Sequence, residues 1–554
     1  ADKPRRIAVV GAGISGLPCI RHSLLQGYDV LCFERQENVG GLWRFKPQQT
    51  IEASVMRSTV SNSSKEMTAY SDFLPAPEEP NFMHNTRLFA YLREYAEHFS
   101  LIDHIRFETE VVNIERTADF DVTGKWKVST RQIKSEEVVS EEFDFVFMAT
   151  GHHRVPLWPS WPGGDGFGGR ITHAHDYKDA TGYDNKVVVV VGVGNSGGDI
   201  ACELSRVAKE VHLVARRGTW VNERLSDYGT PYDTQWQTRL QETKRRLLPP
   251  RLQQLLLTRA LTRRFDHAAY GLEPPNGQFE CESPVHFSSK TPCSGIPLYN
   301  DDLCSRIACG AVRVKGAISH LHEKSIVFED SSKIEDVDEV ILATGYEFDF
   351  PMIENGKLIS TVGNKVSLYR FIFPVDLARN TMAFIGCLQP QAGVSSITEM
   401  QARYALGVFS GTIQLPVKEE MREWVERAIS KNFELYPSSP RHTTIVSYLP
   451  YMDELAEEVC CAPPSFLSTL LSDPLLAAHL LIAPHAAYFF RLRGPFPWPG
   501  ARNAILGIAD RVAKGKHGAA TGSIFTMQNQ SFALLVHLAL AALLILLSLF
   551  TILF

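Results

Sequence analysis

Glu34 and the pair Arg216-Arg217 stand at matching places behind two glycine turns, and they carry opposite charge. The first turn is Gly11-x-Gly13-x-x-Gly16, within RIAVVGAGISGLPCI. The second is Gly192-x-Gly194-x-x-Gly197, within KVVVVVGVGNSGGDIACEL. Such turns let backbone amides approach a pyrophosphate at a helix N-terminus, while the last glycine lets the helix pack on the strand. Counting 23 residues from Gly11 reaches Glu34; the same 23 from Gly192 reach Ala215, just before the two arginines. A carboxylate there accepts from a ribose 2′-hydroxyl and repels a 2′-phosphate. Guanidinium groups make paired, charge-assisted hydrogen bonds to that phosphate. The first site, with Ala12, Ile14 and Ser15 completing its turn, therefore suits FAD. The second, with Asn195, Ser196, Gly198 and Asp199 opening its helix, suits NADPH, and Arg224 is a further phosphate candidate.

These groups need two strand–turn–helix units to carry them. Arg6 to Val10 and the valines at 187–191 read as the leading strands, and Val30 to Phe33 as the strand that delivers Glu34. FVFMATG, ending at Gly151, and VILATG, ending at Gly345, read as strands closing in small-residue turns where the chain passes between units. The expected fold is α/β, with two Rossmann-like dinucleotide-binding domains. Residues 1–155 and 330–445 form a discontinuous FAD domain, and 156–329 an NADPH domain with a mostly helical insertion at about 222–299. Residues 446–530 form a membrane-proximal region, and 531–554 an anchor.

Composition narrows the functions. The 554 residues are 44% hydrophobic and 21% charged, with a net charge of −6, so no general field attracts nucleic acid. The ten cysteines include no Cys-x-x-Cys and fit no zinc pattern, so no metal site is expected. A pyridine nucleotide–disulfide reductase shares the double fold but needs a redox-active cysteine pair, which is lacking. The entry into a strand at Arg6 gives no expectation of a signal peptide. At the other end, Phe532 to Phe554 reads FALLVHLALAALLILLSLFTILF, without a charge. As a helix it would reach roughly 34 Å, against about 30 Å of hydrocarbon. A tail anchor is expected, with Arg511, Lys514 and Lys516 facing the cytosolic side. The stretch from Phe466 to Phe490 is interrupted by Pro474 and Pro484, and reads as core or interfacial. GPFPWPGARNAIL, Gly494 to Leu506, reads as packing against the body.

Further motifs resemble the flavin-containing monooxygenases of vertebrate microsomes over nearly the whole chain. GGLW at Gly40 to Trp43 is similar to that family's FAD-contacting turn, which brings in Gly41, Leu42 and Trp43. SNSSKEM, Ser61 to Met67, resembles the segment that presents an asparagine to the flavin. By that resemblance Asn62 is the catalytic residue, with Ser63 on the FAD side and Ser61 on the NADP side. FGGRITHAHDY resembles the fingerprint shared with Baeyer–Villiger monooxygenases, with Tyr177 where those carry Trp; PNFMHN, GNSGGD and LATGY complete the set. TGHH, ARRG, and RFDH followed by Gly271-Leu272 look closest to form five. The resemblance implies NADPH- and O₂-dependent oxygenation through a C4a-hydroperoxyflavin. Its substrates would be small lipophilic amines and sulfides, with ketones a further class. It also implies an endoplasmic reticulum membrane location, with the body on the cytosolic side and a homo-oligomer left open. His152 and His153 read as structural rather than catalytic, and His173 as a shaper of the linker. Pro275 to Tyr299 and QPQAGVSS, Gln389 to Ser396, depart from the family's text where a substrate tunnel would run. The competing readings are the disulfide reductase, a simple NADPH oxidase, and a non-catalytic NADP-sensing membrane protein.

Overall fold

The structure is a computed structural model that describes residues 3–48, 50–272, 297–436 and 442–516. The tail at 532–554 and most of the stretch 275–299 lie outside the described residues. Two five-stranded sheets form the centre. In the first, Met382–Phe384, Phe145–Met148, Arg6–Val10, Asp29–Phe33 and Ile105–Arg106 lie side by side in that order. In the second the order is Arg313–Lys315, Glu210–Val214, Val187–Val191, Glu339–Leu342 and Arg170–His173. Every pairing in both sheets is parallel. The continuous apolar runs follow from this: a parallel sheet covered on both faces buries alternate side chains in opposite directions. Val188 and Val190 join one core and Val187, Val189 and Val191 the other, on opposite faces of the second sheet.

Each leading strand turns through a glycine into a helix, Gly16–Leu25 in the first unit and Asn195–Leu204 in the second. The last glycine of each motif is sterically required. A Cβ on Gly16 would lie 1.8 Å from the Gly11 carbonyl oxygen, and one on Gly197 would lie 1.9 Å from that of Gly192. The chain crosses between units after each Ala-Thr-Gly turn, and the two crossings pair with each other: Val155–Pro156 runs antiparallel to Tyr346–Glu347. The second sheet keeps Glu339–Leu342, past residue 330, where the sequence reading places the return. Within 222–299 the described part is helical, with Tyr232–Trp236, Arg239–Leu247 and Pro250–Thr262.

The C-terminal region packs onto the first unit. Tyr448, Met452, Leu455, Tyr488, Phe490 and Ile505 belong to the same continuous core as the first sheet. Gly494 to Leu506 ends in the helix Ala501–Leu506, whose Ala501, Ala504 and Ile505 are buried. Phe466 to Phe490 divides into the helices Phe466–Leu470 and Pro474–Ile482 and a buried turn Ala487–Arg491. Arg511, one of the three cations expected on the cytosolic side, is built into the body of the protein. It is buried, and its guanidinium donates to both oxygens of Glu66 at 2.8 and 2.7 Å. Its charge is met by a carboxylate four residues past Asn62. Among the described residues, no helix is long and apolar enough to cross a membrane.

Candidate cofactor and oxygenation site

A cavity of about 590 Å³ runs from the first glycine turn to Asn195, where the second unit's helix begins. Gly11, Gly13, Ile14 and Ser15 line it from the first unit, and Glu34 from the end of the second strand. Glu34 is buried and accepts from the Ala12 amide at 2.7 Å and the Gln36 amide at 3.0 Å. Burial pushes its carboxyl up, while those amides act in the opposite direction. Gly41, Leu42 and Trp43 form a single helical turn against the glycine motif, so close that a Cβ on Gly41 would meet the Gly13 Cα at 3.2 Å. The cavity alongside these two packed backbones, with the Glu34 carboxylate at its wall, fits an extended dinucleotide.

At the seam between the units stands the segment Ser61–Ser64. The Ser61 amide donates to the Met83 carbonyl, and the Ser63 amide to the Ser61 hydroxyl, which fixes a tight local turn. Ser64 caps the short helix Lys65–Thr68 and gives its own amide to Asp233 at 2.7 Å. Ser61, Asn62 and Ser63 all face the cavity, as do Asn195 and Arg224 from the second unit. The Asn195 side-chain oxygen accepts from the Tyr299 amide at 3.0 Å. Gln389 to Val394 also lines this space, so the departure in QPQAGVSS lies at the cavity wall. A Cβ on Gly393 would fall 2.0 Å from the Met67 carbonyl oxygen, which packs that loop directly on the Asn62 segment.

Other expected site residues lie apart from the cavity. Ala12 and Gly16 support the first turn from behind, and Gly192, Gly194, Gly197, Gly198 and Asp199 belong to the second turn and its helix. Ser196 is exposed beside them. Arg216 and Arg217 are exposed at the C-terminal end of Glu210–Val214, the edge where a ribose attached to the second turn would reach. Arg224 is placed differently from that pair. Its guanidinium donates to Asp301 at 2.8 Å and to the Asn62 side-chain oxygen at 3.2 Å.

Sequence reasoning missed the wall supplied by the insertion. Tyr232, Asp233 and Trp236 come from one short helix, and Tyr436 from the far side. Burial pushes the Asp233 carboxyl up to about 6. An apolar-aromatic pattern in PYDTQW was the available signal, but its register toward the cavity depends on packing. His152 and His153 reach the cavity as well, set edge-on to Phe348 and Tyr346 respectively. Burial lowers both, His153 to about 3, so they stand neutral at the wall. His173 is buried at the end of its strand and its ring accepts from the His175 amide, as suits a linker role. Among the described residues, no His, Cys, Asp and Glu cluster is arranged for a metal.

Two dinucleotide folds facing one cavity, with an asparagine turn at their seam, define a two-cofactor flavoprotein. The match to known proteins specifies which kind. Residues 4–554 match the model of the family described as "FMO-like: Flavin-binding monooxygenase-like". Flavin-containing monooxygenase 2 of Homo sapiens is 40% identical over 514 residues, covering 92% of each chain. Flavin-containing monooxygenase 5 of Homo sapiens is 40% identical over 516 residues, covering 92% of this chain and 93% of that one. The two forms match equally well, so identity does not favour form five. A solved S-allyl-L-cysteine S-oxygenase from Allium sativum shares the fold at a TM-score of 0.60 and 21% identity, covering 85% of this chain and 94% of that one. The chain belongs to the flavin-binding monooxygenase family, and it is an enzyme that uses FAD and NADPH to oxygenate its substrates.

Proposed function

We propose that the enzyme oxygenates small lipophilic amines and sulfides in the cavity at the seam, with Asn62 as the catalytic residue. The observation that carries this reading is the placement of Asn62: a neutral amide, fixed in a tight turn, on the wall shared by both dinucleotide units. When bound, the flavin supplies the redox chemistry, taking hydride from NADPH and activating O₂. The chain contributes binding, orientation and exclusion of water. The amides of Gly13 to Gly16 and the Glu34 carboxylate would hold the FAD pyrophosphate and ribose, and those of Asn195 and its neighbours the NADPH pyrophosphate. Arg216 and Arg217 would read the 2′-phosphate. Tyr232, Trp236 and Tyr436 would close the reacting space against water, which protects an oxygen-transferring site from losing its oxidant as peroxide.

Soft nucleophiles fit this wall better than ketones do. His152 and His153 are neutral, and the Arg224 charge is met by Asp301, so none of these three brings an unmatched positive charge to assist a reluctant substrate. Product formed per NADPH consumed, over a panel of amines, sulfides and ketones, tests the proposal. Turnover confined to ketones would reverse the preference, and NADPH oxidation yielding only hydrogen peroxide would favour a simple oxidase.

The membrane location belongs to the same proposal. The uncharged run from Phe532 to Phe554 supports a tail anchor that would hold the body on the cytosolic face of the endoplasmic reticulum. Leu467, Leu471 and Leu475, exposed on the neighbouring short helices and their joint, support a second contact with lipid.

A further inference from the structure

The loop Tyr299–Asp302 touches three residues of the site. Its Tyr299 amide donates to the Asn195 side chain at 3.0 Å. Its Asn300 side chain donates to Asp199 at 2.7 Å, and the Asn300 oxygen in turn accepts from the Asp302 and Leu303 amides. Its Asp301 accepts from Arg224 twice, through the backbone amide at 2.8 Å and through a guanidinium nitrogen at 2.8 Å. The Arg224 side chain is 12% exposed, and its Nε points across the seam to the Asn62 oxygen at 3.2 Å.

This chain of contacts has a directional consequence. A primary amide has one acceptor end and one donor end. Nε–H can only donate, so the Asn62 carbonyl oxygen faces Arg224 and the NH₂ group faces away from it. Unconstrained, the amide could turn over and present its acceptor instead. One carboxylate takes both the Arg224 backbone amide and one guanidinium nitrogen, which ties the arginine's head to its own main chain. The contacts also cross the seam: Asn62 belongs to the first unit, Arg224 and Asp301 to the second.

We propose that Asp301 is a positioning residue which, through Arg224, sets the orientation of the Asn62 amide only when the two units are docked as seen. The inference rests on the catalytic role proposed for Asn62. Arg224 then serves the oxygen end of the site, apart from the 2′-phosphate that Arg216 and Arg217 face. Losing the Asp301 charge frees Arg224 and, with it, the amide, so the enzyme spends NADPH on hydrogen peroxide while hydride transfer proceeds.

The test uses Asp301→Asn in the holoenzyme, which keeps the shape and an acceptor for the Arg224 amide. Hydrogen peroxide per NADPH should rise about three-fold or more with a sulfide present. The NADP⁺ dissociation constant and the anaerobic rate of flavin reduction should stay within about two-fold of the parent. In an Asn62→Ala background the same substitution should add nothing, because its target is already gone. A second cycle needs no turnover: Asp301→Asn should lower the unfolding midpoint of the resting enzyme more with Asn62 present than with Ala there. Equal peroxide increments in both backgrounds, or a weakened NADP⁺ affinity that accounts for the loss, would overturn the proposal. Uncoupling by Asn62→Ala but not by Asp301→Asn would remove Asp301 alone. A fully coupled Asn62→Ala enzyme would remove both readings.

Discussion

At the residue scale the proposed roles separate cofactor choice from oxygen use. Arg216 and Arg217 lie exposed at the end of their strand, so a contact to a phosphate there would be partly screened by water, and its contribution selective rather than large. Losing one charge-assisted phosphate contact costs about 1.5–3 kcal/mol. Arg216→Ala with Arg217→Ala is therefore expected to raise the NADPH dissociation constant at least ten-fold and leave that for NADH little changed. Equal losses for both nucleotides would show that the pair does not read the phosphate. The proposal puts Asn62 later in the cycle. Asn62→Ala should leave flavin reduction by NADPH largely intact, because the dinucleotide contacts lie in the glycine turns. It should divert most of the consumed NADPH to hydrogen peroxide. Asn62→Asp keeps the shape but places a carboxylate beside a space where negative charge develops on oxygen, so it should uncouple at least as strongly. Stopped-flow absorbance after mixing reduced enzyme with O₂ and NADP⁺ gives the check: any transient oxygenated form should decay faster in both variants. Product yields equal to the parent would remove Asn62 from the mechanism.

At the scale of elements, what was legible depended on whether the signal was local. Gly11 and Glu34 are 23 residues apart and belong to one strand–turn–helix–strand unit, so spacing alone located them, and the same holds for Gly192 and the arginines. The seam is different. Asn62, Arg224 and Asp301 meet through the docking of two units, and no local pattern encodes that meeting. The resemblance of SNSSKEM located Asn62, but nothing pointed to Asp301 or to Asp233, which holds the Ser64 amide. Arg511 shows the limit of a local rule. A cation before an apolar tail is read for its side of the membrane, and that rule says nothing of its pairing with Glu66, 445 residues away in sequence, or with the Tyr488 hydroxyl at 3.2 Å. Breaking such a buried pair from one side leaves a charge without a partner, at a cost of about 3–5 kcal/mol. Arg511→Ala should lower the unfolding temperature sharply. Arg511→Met combined with Glu66→Gln, which removes both charges, should recover most of the loss. A double variant no more stable than Arg511→Ala would show that packing of the arginine stem, rather than the unpaired carboxylate, sets the cost.

At the scale of the molecule, the C-terminal region is part of the body rather than a stalk. The helix Ile508–Lys514 contributes Ile508 and Val512 to the main core, and the Asn81 side chain donates to the Val512 carbonyl at 2.9 Å. Lys516 reaches the Tyr228 carbonyl at 3.0 Å. The fold's need for the chain thus extends at least to Lys516, and the apolar run begins at Phe532. A chain ending at Gln530 should therefore fold, keep its flavin and oxidise NADPH at the parent rate, while one ending at Leu506 should lose the Glu66 partner and with it the flavin. Membrane attachment should separate the same way. Each leucine buried in lipid contributes at most about 2 kcal/mol, so the three exposed leucines can supply only a weak, reversible contact beside the uncharged 23-residue run. The chain ending at Gln530 should leave the membrane pellet in large part, and any fraction that remains should fall further with Leu467→Gln, Leu471→Gln and Leu475→Gln together. If the shortened chain pelleted as completely as the full one, the main anchor would lie in the body. If it lost flavin while Ile508–Lys514 was intact, the tail would be part of the fold that holds the cofactor.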